Sequence, residues 1–261
     1  MSEHGENGWK ERLRSSPRAR RVYNFLLRFL HKRDLTKLAD LHGSDKWGQH
    51  RYTPHYQQHF EGFRRKAVRL LEIGVGGYRD PRAGGASLRM WKDFFPRAEI
   101  FAIDLYDKRP LEEARIRIFQ GSQDDPEFLE EVVAAMGRVD LVIDDGSHRC
   151  EHVRASFEFL FPHLSEGGLY VVEDTQTSYW PRAGGDSENL SNPQATIPFF
   201  LERVHGLHHR EILSSAYTPT RWDETIAGLH FYPNLIFVEK GKNLEQSIYT
   251  EHARVRNESR V

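Results

Sequence analysis

Five residues at two places in this 261-residue chain could do chemistry together: VIDDGSH carries Asp144, Asp145 and His148, and VVEDT carries Glu173 and Asp174. Carboxylates brought close repel one another unless a cation or a proton separates them, and oxygen-only ligands suit Mg²⁺ or a related hard divalent ion. Histidine changes charge near neutral pH, so an imidazole at position 148, beside such a cluster, could take a proton from a hydroxyl. Caps and salt bridges to neighbouring arginines are the plain alternative for the carboxylates, and Asp144 reads as well that way as the other.

A second set lies upstream. The stretch LLEIGVGGYRDPRAGGASLRMW, residues 70–91, reads as a strand, a glycine turn and the start of a helix, the arrangement of a nucleotide-cofactor site. Leu70, Leu71 and Ile73 form the apolar run of a parallel strand, while Gly74, Gly76 and Gly77 let the backbone turn tightly against a ligand. Glu72 sits inside that strand, where a carboxylate is costly without a partner. The spacing E-x-G-x-G is commoner in S-adenosylmethionine (SAM) sites than the G-x-G-x-x-G of dinucleotide enzymes, whose third glycine would have to replace Arg79. Asp104 closes EIFAID where a carboxylate would meet ribose hydroxyls, with a cap or turn former as the alternative. Gln123, in GSQDD after the next strand, belongs to a segment that could contact the adenine or its ribose, or cap the helix beginning at Pro126.

The elements that must position these residues follow a βα rhythm from Val68 onward. LLEIGVG precedes ASLRMWKDFF, EIFAIDLYD a short helix, and ARIRIFQGS the helix PEFLEEVVAAM; VDLVIDDGSH, CEHVRASFEFLFPHL and GGLYVVEDT follow. The pattern predicts an α/β fold with a mainly parallel sheet and right-handed crossovers, in which ligands bind at the carboxyl ends of the strands. Residues 178–198, with Pro181, Gly184, Gly185 and Pro193, read as a lid or substrate loop. A helix TIPFFLERVHGL and two terminal strands, one of them NLIFVEKG, complete the domain. Upstream, LADLHGSDKWGQHRYTPHYQQHF crowds His, Tyr, Asp and Lys with little periodicity and reads as a loop contributing to a site. Residues 9–33 form a basic amphipathic helix with Val22, Leu26, Phe29 and Leu30 on one side; it is expected to dock that stripe on the domain or on another subunit, with an anionic membrane surface as the rival. The expected division is a basic helical extension at 1–37 with a disordered tip at 1–8, one domain at 38–242, and a polar tail at 243–261.

Composition narrows the classes. With 38% hydrophobic and 29% charged residues the chain is polar but far from the disordered corner, which predicts a soluble globular protein. A formal net charge of −1 argues against a protein whose main partner is nucleic acid. One cysteine, Cys150, excludes an intramolecular disulfide and suits a reducing compartment. No stretch approaches the ~20 apolar residues of a membrane span, and VYNFLLRFL is too short, and interrupted by Arg28, to be a signal-peptide core, so the expected location is the cytoplasm.

IDDGSH and VEDT, taken with E-x-G-x-G and the upstream GSDKWGQHRYTPHY, resemble the metal-dependent sugar O-methyltransferases that use SAM on deoxysugars of macrolide antibiotics, and their relatives acting on mycobacterial methylated polysaccharides and glycolipids. The resemblance covers residues 38–240, and the step of 173 − 145 = 28 residues between Asp145 and Glu173 agrees with it. The extra N-terminal domain of the macrolide enzymes has no counterpart within the match. What the resemblance implies is a single Rossmann-like class I methyltransferase domain in which Asp145, Glu173 and Asp174 hold the divalent metal, Mg²⁺, and His148 is the general base. It further implies that Glu72, Gly74, Gly76, Asp104, Gln123 and Asp145 serve the cofactor, and that Tyr52 and Tyr56 cover the cofactor or the acceptor.

The leading expectation is transfer of the SAM methyl group to a hydroxyl of a sugar-containing acceptor. A catechol-type O-methyltransferase acting on aromatic diols is the enzymatic alternative; a non-catalytic protein that binds SAM or a membrane surface is the other. The apolar face of the first helix predicts a homo-oligomer.

Overall fold

The computed structural model describes residues 17–244, so the expected disordered tip, the start of the basic helix and nearly all of the polar tail lie outside the described residues. Seven strands form one sheet in the order β3-β2-β1-β4-β5-β7-β6. They are β1 (Arg69–Ile73), β2 (Glu99–Asp104), β3 (Ile116–Gln120), β4 (Val139–Asp144), β5 (Leu164–Glu173), β6 (Ile226–Tyr232) and β7 (Leu235–Lys240). The first five run parallel, as the βα rhythm predicts, and β7 enters antiparallel to β5 and to β6.

Side chains alternate between the two faces of the sheet, and both faces are covered. Leu70, Ile100, Leu141 and Val171 look one way, onto helices α2 (Leu35–His42), α3 (Thr53–Phe60) and α4 (Ala86–Phe94), through Leu38, Tyr56, Phe60, Trp91 and Phe94. Leu71, Val142 and Val172 look the other way, onto α5 (Pro126–Met136), α6 (Cys150–His163) and α7 (Thr196–Leu207), through Val132, Phe157, Phe161 and Phe200. Burial on both sides explains the near-continuous apolar runs of the central strands. A five-residue helix, α8 (Arg221–Thr225), leads into β6.

The segment expected as an irregular loop is irregular only over residues 43–52; its flanks belong to two eight-residue helices, α2 and α3. The Asp34 side chain caps α2 by accepting from the Lys37 amide at 3.0 Å, left-handed Gly43 closes that helix, and a proline lies in the first turn of α3. Leu35, Leu38 and Ala39 are all buried, so the expected boundary at residue 37 falls within a helix of the core.

The first helix, α1, spans Pro17–His31. Its stripe does not dock on the domain: Val22, Leu26, Phe29 and Leu30 are 60, 51, 59 and 72% exposed. Among the described residues, no helix is long and apolar enough to cross a membrane.

Candidate active site

Chain order reverses beside β1, which pairs with β2 on one side and β4 on the other. At such a switch point the loops leaving two neighbouring strands part and leave a crevice. A cavity of about 760 Å³ opens there, walled by Gly74, Gly76, Gly84, Asp104, Asp145, His148 and Asp174 among others. The glycines are needed for close approach. Gly74 has φ +94°, and a Cβ on it would overlap the Asp145 carbonyl; Gly84 has φ +106°, and a Cβ there would meet the Val75 and Gly76 carbonyls. The buried Lys108 ammonium fixes the loop between them by donating to the Asp80 carbonyl at 2.7 Å and the Ala83 carbonyl at 3.1 Å.

Around this cavity the expected residues separate by depth. Asp104 is in the wall, where its two oxygens accept from the Val75 and Tyr106 amides at 2.9 and 2.8 Å; it shapes the turn as well as facing the crevice. Gln123 also reaches the wall, but its amide is spent inward, donating to Asp144 at 3.0 Å and accepting from the Ser147 amide at 2.8 Å. Asp144 is fully buried and receives the Ser156 hydroxyl at 2.7 Å and the Tyr170 hydroxyl at 3.1 Å. Burial pushes its carboxyl up, tempered by these donors. The open reading of Asp144 thereby resolves to a structural carboxylate.

Glu72 departs from its expected place: it does not line the cavity. The strand alternation turns it into the layer beneath, where one oxygen accepts from the Trp91 indole at 3.0 Å and the other lies 3.5 Å from the Lys46 ammonium. Burial raises its carboxyl to about 7, against the pull of Lys46. Lys46 also donates to Asp145 at 2.8 Å and to Glu173 at 2.6 Å. Burial alone would lower the lysine, but Asp145, Glu173 and Glu72 outweigh it and hold the ammonium well above its usual range. One ammonium cannot neutralise three carboxylates; burial, then the charge of Asp145, hold the Glu173 carboxyl well above the ordinary value.

Asp145, His148 and Asp174 come together at the cavity surface, each offering a ligand atom within 4.8 Å of the others. The His148 Nε2 lies 3.9 Å from Asp145 and 3.7 Å from Asp174, while its buried Nδ1 has no hydrogen-bond partner. Both His148 (φ +55°) and Asp174 (φ +53°) occupy the left-handed region that non-glycine residues rarely adopt. Strain of this kind persists only where the surroundings over-determine it, and it gathers at functional sites. Glu173 is not in this group: its Oε1 is shared by Lys46 and the Tyr56 hydroxyl, one layer deeper. Tyr52 does not cover the cavity either, but donates to Asp174 at 2.7 Å and so aims that carboxylate. No residue of the segment 178–198 lines the cavity, so the expected lid is not part of its wall.

The donor set at the surface suits a divalent ion, with carboxylate oxygens converging where negative charge exceeds the single lysine that answers it. A model described as "Methyltransferase domain" matches residues 23–175, more than half of the chain. The chain belongs to the methyltransferase-domain family. It is 47% identical over 221 residues to the mycinamicin VI 2''-O-methyltransferase of Micromonospora griseorubida, covering 84% of this chain and 55% of that one. It is 50% identical over 215 residues to the 8-demethyl-8-alpha-L-rhamnosyl tetracenomycin-C 2'-O-methyltransferase of Streptomyces olivaceus, covering 81% and 56%. Among solved structures, MycE methyltransferase of the mycinamycin biosynthetic pathway, in complex with Mg, SAH and mycinamycin VI, superposes with a TM-score of 0.79 at 47% identity, over 82% of this chain and 55% of that one. The chain spans about half the length of the curated relatives it matches. The resemblance drawn from IDDGSH and VEDT is borne out, as is the class I methyltransferase fold.

Lys46, inside GSDKWG, is not among the expected site residues, and nothing local marks a lysine whose partners lie 99 and 127 residues away. His50 is a second addition, lining the cavity 3.8 Å from Asp174 and stacked on Tyr52.

Proposed function

We propose that this methyltransferase moves the methyl group of SAM to a hydroxyl of a sugar carried by a glycosylated natural product. The observation that carries the reading is the convergence of Asp145, His148 and Asp174 at the mouth of the glycine-walled cavity. The turn at Gly74 and Gly76, with Asp104 on the next strand, is assigned to SAM, which fits backbone approach on one side and a carboxylate for ribose hydroxyls on the other. Asp145 and Asp174 at the mouth, with Glu173 behind them once it exchanges the Lys46 ammonium for the ion, are assigned to a divalent metal, Mg²⁺, which when bound would supply Lewis-acid stabilisation of charge developing on the acceptor oxygen. His148 faces the same point and takes the hydroxyl proton. Tyr52 aims Asp174, and Lys46 with Tyr56 holds Glu173, so the acidic group is set before any ligand arrives. Named relatives that act on sugars of macrolides and tetracenomycins support the choice of acceptor over aromatic diols.

One specific observation favours a second role for His148: it lies with two carboxylates as a ligand would. The test separates the roles. S-adenosylhomocysteine release is measured on glycosylated macrolides, rhamnosides, mannosides and methylated manno-oligosaccharides, with Mg²⁺ and with EDTA. EDTA-sensitive turnover on one class carries the reading; confirmed SAM binding without turnover on any of them sinks the sugar assignment. His148→Ala should lower kcat by about 10²-fold or more while sparing SAM binding. An unchanged Mg²⁺ requirement in that variant marks a base, and a raised requirement marks a ligand.

The exposed stripe on α1 supports a homo-oligomer, and the single buried thiol of Cys150 suits the cytoplasm. Light scattering on the full chain and on Leu26→Glu tests the first, which fails if both run as monomers.

A further inference from the structure

Far from the cavity, on the outer edge of the sheet, His59 from α3 meets His230 from β6 and Glu239 from β7, with ligand atoms all within 4.8 Å of one another. The backbone fixes two of them. Strands β6 and β7 pair antiparallel with Gly228 opposite Glu239, and the His230 Nε2 reaches diagonally to the Glu239 Oε1 at 2.8 Å. The third comes from the helix: the His59 ring stacks on Phe237 with centroids 4.2 Å apart and stands edge-on to the His230 ring at 4.6 Å. Gly228 leaves the room, since a Cβ there would lie 3.1 Å from the Glu239 Oε2 and 3.4 Å from the His230 Nε2. All three side chains are partly exposed, so an ion can enter.

We propose that His59, His230 and Glu239 form a second metal site, for a nitrogen-seeking divalent ion of the Zn²⁺ class, that clamps α3 to the β6–β7 hairpin. Two imidazoles and one carboxylate are the donors such ions prefer, whereas Mg²⁺ takes oxygen and dehydrates reluctantly. Tetrahedral bonds of about 2.0–2.2 Å set ligand atoms roughly 3.3 Å apart, so His230 and Glu239 must open by about 0.5 Å and the wider pairs close by up to about 1.5 Å, movements within the reach of side chains. The fourth position goes to water. His59 must exchange its contact with the Tyr232 hydroxyl, 3.0 Å from its Nε2, or bind through its other nitrogen. The clamp has a destination: α3 also carries Tyr56, whose hydroxyl holds Glu173, so the ion would stiffen the support of the acidic group from behind.

The experiment uses the full chain, stripped of metal and then saturated with Mg²⁺ so that oxygen sites are filled. Zn²⁺ is titrated by equilibrium dialysis with elemental analysis, alongside thermal unfolding. The expected result is a single retained equivalent of Zn²⁺ and a higher Tm. His59→Gln and His230→Gln should each weaken binding at least about tenfold, while Asp174→Asn leaves it unchanged. Thermal unfolding in chelator verifies that the variants fold. Gly228→Ala keeps every donor and crowds the cradle, so it should weaken binding as well. Retention of zinc at full affinity by both glutamine variants, loss of it in Asp174→Asn, or no retained zinc under Mg²⁺ would overturn the site.

Discussion

The floor beneath the strand ends and the mouth above it draw on the same residue types and put them to opposite uses. In the floor, Glu72, Glu173 and Asp144 are buried and every one of them is tied to a donor: Trp91, Lys46 with Tyr56, and Ser156 with Tyr170 and Gln123. At the mouth, Asp145, His148 and Asp174 keep side chains 23, 26 and 19% exposed and face one another across distances too long for direct hydrogen bonds to His148. Adjacent residues divide between the two, as Asp144 does from Asp145 and Glu173 from Asp174. Depth therefore decides what a carboxylate does here. Before any ligand arrives, a buried one is tied to protein donors and stiffens the frame, and one at the surface stays open to a ligand.

Breaking the floor should cost stability most. Lys46→Met removes the cation that three carboxylates share, and unfolding in urea should show a loss of about 3–5 kcal/mol. A stable Lys46→Met protein would mean that the floor does not depend on its ion pairs. The next effect is a pH slope. Glu72 ordinarily titrates at 4.5 and is raised to about 7 in the fold, so between those values the folded chain keeps a proton that the unfolded chain has lost. Unfolding free energy must then fall as pH rises through that window, by up to about 3 kcal/mol from this group, and level off above it. Glu72→Gln should lack that part of the slope; parallel curves for the two proteins would show that Glu72 is ionised throughout.

Smaller still is Tyr170→Phe, which removes one buried donor to Asp144 and should cost about 1 kcal/mol in the same denaturation measurement. The mouth supplies the sharpest contrast. Asp174→Asn should leave stability within about 0.5 kcal/mol of the parent, because the side chain is partly solvated, yet raise the Mg²⁺ needed for turnover. A loss comparable to that of Lys46→Met would erase the distinction between the two layers.

Much of this was legible beforehand. PEFLEEVVAAM and TIPFFLERVHGL are α5 and α7, and the acidic ends of β4 and β5 meet where the βα rhythm placed them. Two expectations fail against the packing. Glu72, expected at the cofactor, belongs to the floor, and Tyr52, expected over the cofactor or the acceptor, aims Asp174. Each concerned direction or depth, which single-residue chemistry does not encode. The helices α2 and α3 are hard to see in the sequence because each spans only eight residues, about two turns, too few for an apolar periodicity to stand out.

The sequence by itself determined the order of strands and helices from Val68 onward, the glycine turn and the set of acidic strand ends, because periodicity and turn chemistry act over a few residues. Only the tertiary structure decided which carboxylates are buried, that Lys46 answers residues 99 and 127 positions away, and that two histidines and a glutamate meet at the sheet edge. Those outcomes depend on how β1 sits between β2 and β4 and where α3 lies across the sheet, and burial, pairing and charge follow from that arrangement.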